Sequence, residues 1–126
     1  MPFAGDVILR HMLNQSPALD RMFHALADAT RRDMVARLSL GAATVSELAK
    51  PLAMSLPSVM QHLQVLETSG LVRSLKVGRV RTCEIDPQAL ALAERWIFDR
   101  RTMWERRLDR LGDFLSQIPD DTGDAK

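Results

Sequence analysis

A chain of 126 residues with 46% hydrophobic and 26% charged side chains, 6 glycines and 6 prolines has the composition of one ordinary globular domain, large enough for a core without disulfides or a structural metal. Its single cysteine, Cys83, excludes an internal disulfide, and neither a signal-peptide pattern nor a run near the roughly 20 apolar residues of a bilayer span is present, so a soluble, cytoplasmic protein with no membrane partner is expected. The net charge of +1, from 17 Lys+Arg against 16 Asp+Glu, gives no overall attraction to nucleic acid, but Arg73, Lys76, Arg79 and Arg81 fall within nine residues that contain no acid.

In chain order, Ile8 and Met12, with Leu9 and Leu13, predict a short helix with a broad apolar face. Ser16-Pro17 reads as a cap followed by proline at the first helical position, where its missing amide hydrogen costs nothing. The helix it opens turns Leu19, Met22, Phe23, Leu26 and Ala27 to one side. Asp28 caps the next helix, expected to run from Ala29 to Leu40 and to stop at Gly41, with Met34, Val35 and Leu38 inward. Thr44 and Glu47 have capping-box spacing, and Pro51 limits the short helix through Leu48 and Leu52. Ser55, with Pro57 in the first turn, caps a helix that buries Val59, Leu63 and Leu66, ends at Gly70, and carries Ser58, Gln61 and His62 on its opposite face near the start.

The period then shortens. Residues 71–76 and 79–85 predict a two-stranded hairpin broken at Val77-Gly78. Asp86-Pro87 opens the longest helix, running to about Ile118, in which Trp104, Leu108, Leu111, Leu115 and Ile118 step by 4, 3, 4 and 3, the seam of a helix packed along another helix. Ile97 lies one heptad earlier, with Arg101 at the intervening seam position. The predicted fold class is mainly α with a small β-hairpin. Residues 1–118 are expected to form one winged helix-turn-helix domain, with the helix-turn-helix at 44–70, the wing at 71–86 and flanking helices within 1–15 and 87–118, and residues 119–126, with Asp120, Asp121 and Asp124, a flexible acidic tail.

This order places a helix with small hydrogen-bonding side chains where it can enter a major groove, beside a basic hairpin with glycine at its tip. Gln61 can pair bidentately with adenine and Ser58 accepts several bases, whereas Lys76, Arg79 and Arg81 can follow phosphates or enter the adjacent minor groove. Nothing catalytic accompanies them: the chain has no glycine-rich phosphate loop, GxSxG elbow, HExxH helix or cysteine-histidine pair at metal-binding spacing, so it is not expected to be an enzyme.

The segments FHALADATRRDMVARL, TVSELAKPLAMSLPSVMQHLQVLETSGLVRSLKVGRVRTCEID and WIFDRRTMWERRLDRL resemble the ArsR family of dimeric winged-helix transcriptional repressors over about residues 16–116. The resemblance implies a homodimer joined through its first and last helices, paired recognition helices on a palindromic operator in double-stranded DNA, and a phosphate contact from Ser55. The chain departs from the metal-sensing members. Thr44 and Ser46 stand where those carry a Cys-Val-Cys pair, and no histidine lies beyond Asp86, so neither a metal nor a cofactor is expected. The DNA-facing set is Thr44, Ser55, Leu56, Ser58, Gln61, His62, Lys76, Arg79 and Arg81, and the dimer interface is Ile8, Met12, Ile97, Trp104, Leu108, Leu111 and Leu115.

Each of these residues also has a plainer use. His62 can pack locally, Arg79 and Arg81 can solubilise an edge hairpin, and Arg31 or Arg32 can pair with a carboxylate to fix the second helix. Cys83 reads as a small core residue rather than a redox or metal sensor, and Trp96, Met103 and Trp104 read as interface packing rather than the lining of a pocket for an unidentified small-molecule effector. Two alternatives remain open: a winged-helix protein interaction module without specific DNA binding, and a repressor controlled by metal through His11, His24, Cys83 or interface acids.

Overall fold

The computed structural model describes residues 16–119. The expected N-terminal helix, with Ile8 and Met12, and most of the acidic tail lie outside these residues. The chain divides into two compact units, Met1–Ala93 and Glu94–Lys126. Within the described residues the order is α1 (Pro17–Leu26), α2 (Ala29–Leu38), β1 (Ala43–Thr44), α3 (Val45–Ala49), α4 (Leu56–Thr68), β2 (Val72–Val77), β3 (Val80–Ile85) and α5 (Pro87–Gln117), which begins in the first unit and supplies the helix of the second. None of the helices is long and apolar enough to cross a membrane.

The caps follow from the local sequence. Pro17 sets the first turn of α1, where the Ser16 side chain, expected to cap, makes no cap hydrogen bond; Asp28 accepts from the amide of Arg31 at 3.0 Å, Thr44 Oγ1 from that of Glu47 at 3.2 Å, and Ser55 Oγ from that of Ser58 at 3.4 Å. The carboxylate of Glu47 faces Arg37 Nη2 at 3.5 Å. Helix α2 stops at Leu38, two residues short of expectation, where Ser39 donates its hydroxyl to the Val35 carbonyl at 2.8 Å.

Arg31 and Arg32 act differently from the carboxylate pairing considered for them. Arg31 donates from Nε to the Ala25 carbonyl at 2.7 Å and from Nη2 to that of His24 at 3.1 Å, while Arg32 Nη1 reaches that of Leu26 at 2.8 Å. The last carbonyls of a helix have no intrahelical donor and carry its negative dipole end, so two guanidinium groups from the next helix both satisfy and neutralise them.

The expected two-stranded hairpin is a three-stranded antiparallel sheet of order β1-β3-β2, with Ala43 opposite Cys83 and Thr44 opposite Thr82. A two-residue strand has no period to read, and its pairing is made across the fold. The hairpin closes at Val77 opposite Val80, one residue later than expected. Gly78 has φ +62° and, among the described residues, only glycines have positive φ, so the two-residue turn is Gly78-Arg79, with glycine first as a II′ turn requires.

Met22, Met34, Leu48, Val59, Leu63, Leu66, Leu71 and Cys83 are the largest fully buried side chains and join α1 to α4 and the base of the sheet into one core. Met22 is buried as expected, but Phe23 and Ala27, also expected inward, are exposed, Phe23 by 37%, and Ala25 takes the second buried position, flanked by Leu19 and Leu26. Ser69 ends α4 by donating to the Leu66 carbonyl at 2.6 Å and accepting from the Leu71 amide at 3.2 Å, which satisfies a buried hydroxyl where helix turns to strand.

Burial, with the Glu67 carboxylate adding to it, pushes the Cys83 thiol above its ordinary pKa. Iodoacetamide is therefore expected to label the native protein orders of magnitude more slowly than the denatured chain, and rapid native labelling would contradict this placement. Cys83→Ser, which puts an unpartnered hydroxyl into the core, should cost about 1 to 3 kcal/mol by chemical denaturation.

Candidate nucleic-acid interface

Helix α4 is rotated by its apolar stripe. Val59, Leu63 and Leu66 are at most 1% exposed, so the opposite positions, Pro57, Gln61, Gln64 and Thr68, form an outward ridge. Gln64 was missed in the sequence, although its spacing of three from Gln61 marks it as the next residue on that ridge. One side of α4 borders an open groove of about 440 Å³ that also touches Arg21 and His24 of α1. The other side borders one of about 370 Å³ lined by Gln61, Gln64, Glu67 and Arg81.

Five of the predicted DNA-facing residues, Thr44, Leu56, Lys76, Arg79 and Arg81, line a single groove of about 400 Å³ between the starts of α3 and α4 and the outer hairpin. Val45, Ser46, Met60 and Val80 complete its lining, and none of them is singled out for this role by the sequence. Ser55 and Ser58 stand at the start of α4 with their hydroxyls 3.0 Å apart, and Leu56 is 55% exposed beside them.

His62 is turned away from this groove. Its Nδ1 lies 3.4 Å from Arg31 Nη1 and 3.7 Å from Asp28 Oδ2, with the side chain 24% exposed. Arg31 can only donate, so a hydrogen bond to it uses the ring with Nδ1 unprotonated, whereas pairing with Asp28 uses a protonated Nδ1. The Arg31 backbone amide, helped by the nearby His62 and the Arg31 guanidinium, holds the Asp28 carboxyl below the usual carboxylate range.

The four cations of the acid-free run separate into two kinds. Arg73 Nε meets Glu84 Oε1 at 2.8 Å across the hairpin, and Arg81 Nη2 meets both carboxylate oxygens of Glu67 at 3.0 and 2.9 Å. Lys76 and Arg79, by contrast, are exposed near the hairpin tip. Positive potential thus concentrates at the tip and the groove that it borders, beside uncharged hydrogen-bonding side chains on α4. Such an arrangement can hold a polyanion by its backbone while presenting amide and hydroxyl groups to its bases.

A helix-turn-helix domain family model matches residues 26–74, from the end of α1 into β2. The HTH-type transcriptional regulator Rv2034 of Mycobacterium tuberculosis is 44% identical over 103 residues, which cover 82% of this chain and 94% of that protein. The crystal structure of an ArsR family transcriptional regulator matches with a TM-score of 0.67 at 51% identity, over 70% of this chain and 97% of its own. This chain belongs to the ArsR family. An ArsR-like transcriptional regulator from Rhodococcus sp. RHA1 matches with a TM-score of 0.68 at 30% identity, over 80% of this chain and 95% of its own.

The protein is accordingly an ArsR-family winged helix-turn-helix transcriptional regulator. Among the described residues, no three His, Cys, Asp or Glu side chains gather into a cluster that could hold a metal ion. In the second unit, the seam residues Ile97, Trp104, Leu108, Leu111 and Leu115 are 52%, 59%, 48%, 52% and 57% exposed. Arg101, at the interrupted seam position, lies 3.6 Å from Glu105, and Arg100 lies over the Trp96 ring at 5.1 Å.

Because the Asp28 carboxyl is held low in the folded protein, its contribution is present above the pKa of the unfolded chain and is lost as pH falls through the folded value. Asp28→Asn, which keeps a capping oxygen but removes the charge, should be less stable than wild type at neutral pH. The difference should shrink on acidification below the ordinary aspartate range, and a gap constant with pH in thermal melts would contradict this.

Proposed function

We propose that this regulator is a homodimeric repressor that reads a palindromic operator and occludes a promoter. The observation that carries the reading is the convergence of Thr44, Leu56, Lys76, Arg79 and Arg81 on one groove beside an exposed Gln61. Each α4 enters a major groove, with half-sites about 34 Å apart. Gln61 and Ser58 meet base edges, Leu56 meets a thymine methyl, and His62 offers its Nε2 proton to an acceptor at the groove margin. Thr44 and Ser55 give hydroxyl contacts to phosphate, and Lys76 and Arg79 hold the flanking backbone. Arg81 borders the same groove while spending part of its guanidinium on Glu67.

The apolar seam of residues 97–115 supports self-association, because side chains of this size exposed along one helix normally meet a partner. Ile8 and Met12 join that interface in this reading. Repression is relieved by a small-molecule effector only to the extent that it binds more tightly to a dimer geometry with the wrong helix spacing.

Fluorescence anisotropy on the duplex immediately upstream of the coding region, against a scrambled duplex of equal length, tests the reading. A preference of at least about 10³, falling steeply with salt, is expected. Gln61→Ala should cost about 1 to 3 kcal/mol at one base pair, whereas Arg79→Ala should weaken all sequences and reduce the salt slope by about 1. Absence of binding to either duplex at low salt would favour a protein interaction module instead. Leu111→Glu should yield a monomer by ultracentrifugation and reduce operator affinity, and a wild-type monomer would overturn the dimeric reading.

A further inference from the structure

We propose that Glu67 is a positioning residue for DNA recognition: by clamping Arg81 and Ser74 it sets the wing against the recognition helix, and Arg81 acts through that clamp rather than as a phosphate ligand. The inference rests on the DNA-binding reading above and assigns a role within it.

The base of the hairpin is held by the core, since Val72 is 2% and Cys83 0% exposed. Its outer half has no such hold: Leu75, Val77 and Val80 are 69%, 69% and 53% exposed. The register puts Ser74 opposite Cys83 and Lys76 opposite Arg81, and alternate residues of a strand share a face, so Arg81 lies on the core-facing side one rung outward from Cys83. There it meets Glu67, on the last turn of α4.

The contacts close a ring across three elements. Arg81 Nη2 donates to both Glu67 oxygens at 3.0 and 2.9 Å, Arg81 Nε donates to Ser74 Oγ at 2.9 Å, and Ser74 Oγ donates to Glu67 Oε1. The side chains of Glu67 and Arg81 are 22% and 35% exposed, so the ring is partly shielded from water. At about 3.3 Å per residue, anchoring the hairpin at Arg81 rather than at Cys83 shortens the free arm that carries Arg79 from about 13 Å to about 7 Å. Lys76, the cross-strand partner of Arg81, is fixed by the same anchor.

Placing a carboxylate beside a DNA-facing groove works against simple attraction, and this gives the test its sign. Were Arg81 a phosphate ligand, Glu67 would compete with DNA, and Glu67→Ala would free a cation, remove a repulsive charge and tighten binding. A clamp predicts the opposite. Operator affinity and its salt slope are measured by anisotropy for Glu67→Ala, Arg81→Ala and the double variant, at a temperature where melts show each to be folded. Each single variant is expected to lose about tenfold on the operator, with little change on scrambled DNA, an unchanged salt slope, and no further loss in the double variant. Operator binding by Glu67→Ala that equals or exceeds wild type, or a salt slope lowered by about 1 in Arg81→Ala, overturns the proposal.

Hydrogen exchange on the DNA-free protein separates this idea from the reading that it rests on. Glu67→Ala should speed exchange of amides in residues 75–82 while those of Val72 and Cys83 stay protected, and unchanged exchange there also overturns the clamp. Wild-type protein that fails to distinguish the operator from scrambled DNA refutes the operator reading, while the exchange result still decides the clamp.

Discussion

The proposed DNA-reading face of α4 depends on the burial of Val59, Leu63 and Leu66. Each withdraws a branched side chain almost entirely from water, worth roughly 1.5 to 3 kcal/mol apiece. With anchors at spacings of four and three, α4 cannot roll about its axis without exposing one of them, so Gln61 and Gln64 point outward as a geometric consequence. Specificity is thereby tied to stability. A substitution that let α4 roll would aim different side chains at DNA even where the fold survived.

Around that helix, most of the remaining order comes from accounting for helix ends. Short helices expose a large share of unpaired backbone groups, and the connections here satisfy them with side chains that serve a neighbouring element as well. Thr44 both ends β1 and caps α3. Arg31 covers the carbonyl end of α1, accepts its place in the first turn of α2 through the Asp28 cap, and touches His62 on α4. Three helices therefore meet at one guanidinium. Helix α4, the recognition helix in the proposed reading, is held by this polar junction on one side and by the Glu67 ring on the other.

What could be read from the sequence was local. The Asp28, Thr44 and Ser55 caps, the stripe of α4 and the hairpin are each specified within a few residues, by spacing or by a single turn requirement. The two-residue β1 could not be read this way, because its only signature is a partner some forty residues away in the chain. Charge was misleading for the same reason. The run from Arg73 to Arg81 contains no acid, yet Glu84 and Glu67 reach two of its four cations in the folded chain: Arg73 stays exposed but paired, Arg81 is half-buried and paired, and Lys76 and Arg79 are exposed at the tip. Of the candidate site, the five side chains that line one groove were legible from motif and charge, whereas the withdrawal of His62 toward Arg31 depends on a contact across 31 positions.

The second unit raises a complementary question of coverage. A strict two-stranded seam needs only the line through Ile97, Trp104, Leu108, Leu111 and Leu115, but Met103 and Phe114, 56% and 61% exposed, lie to one side of it. At 100° per residue they widen the apolar arc to roughly 140°, more than the narrow stripe of a simple coiled coil. Arg100 enters this arc with its guanidinium over Trp96, which lets an aliphatic stem cover part of the surface without removing the charge from water. In the proposed homodimer, a single partner helix along the seam would leave the flank of Met103 and Phe114 uncovered, so an arc of this width calls for a second covering element.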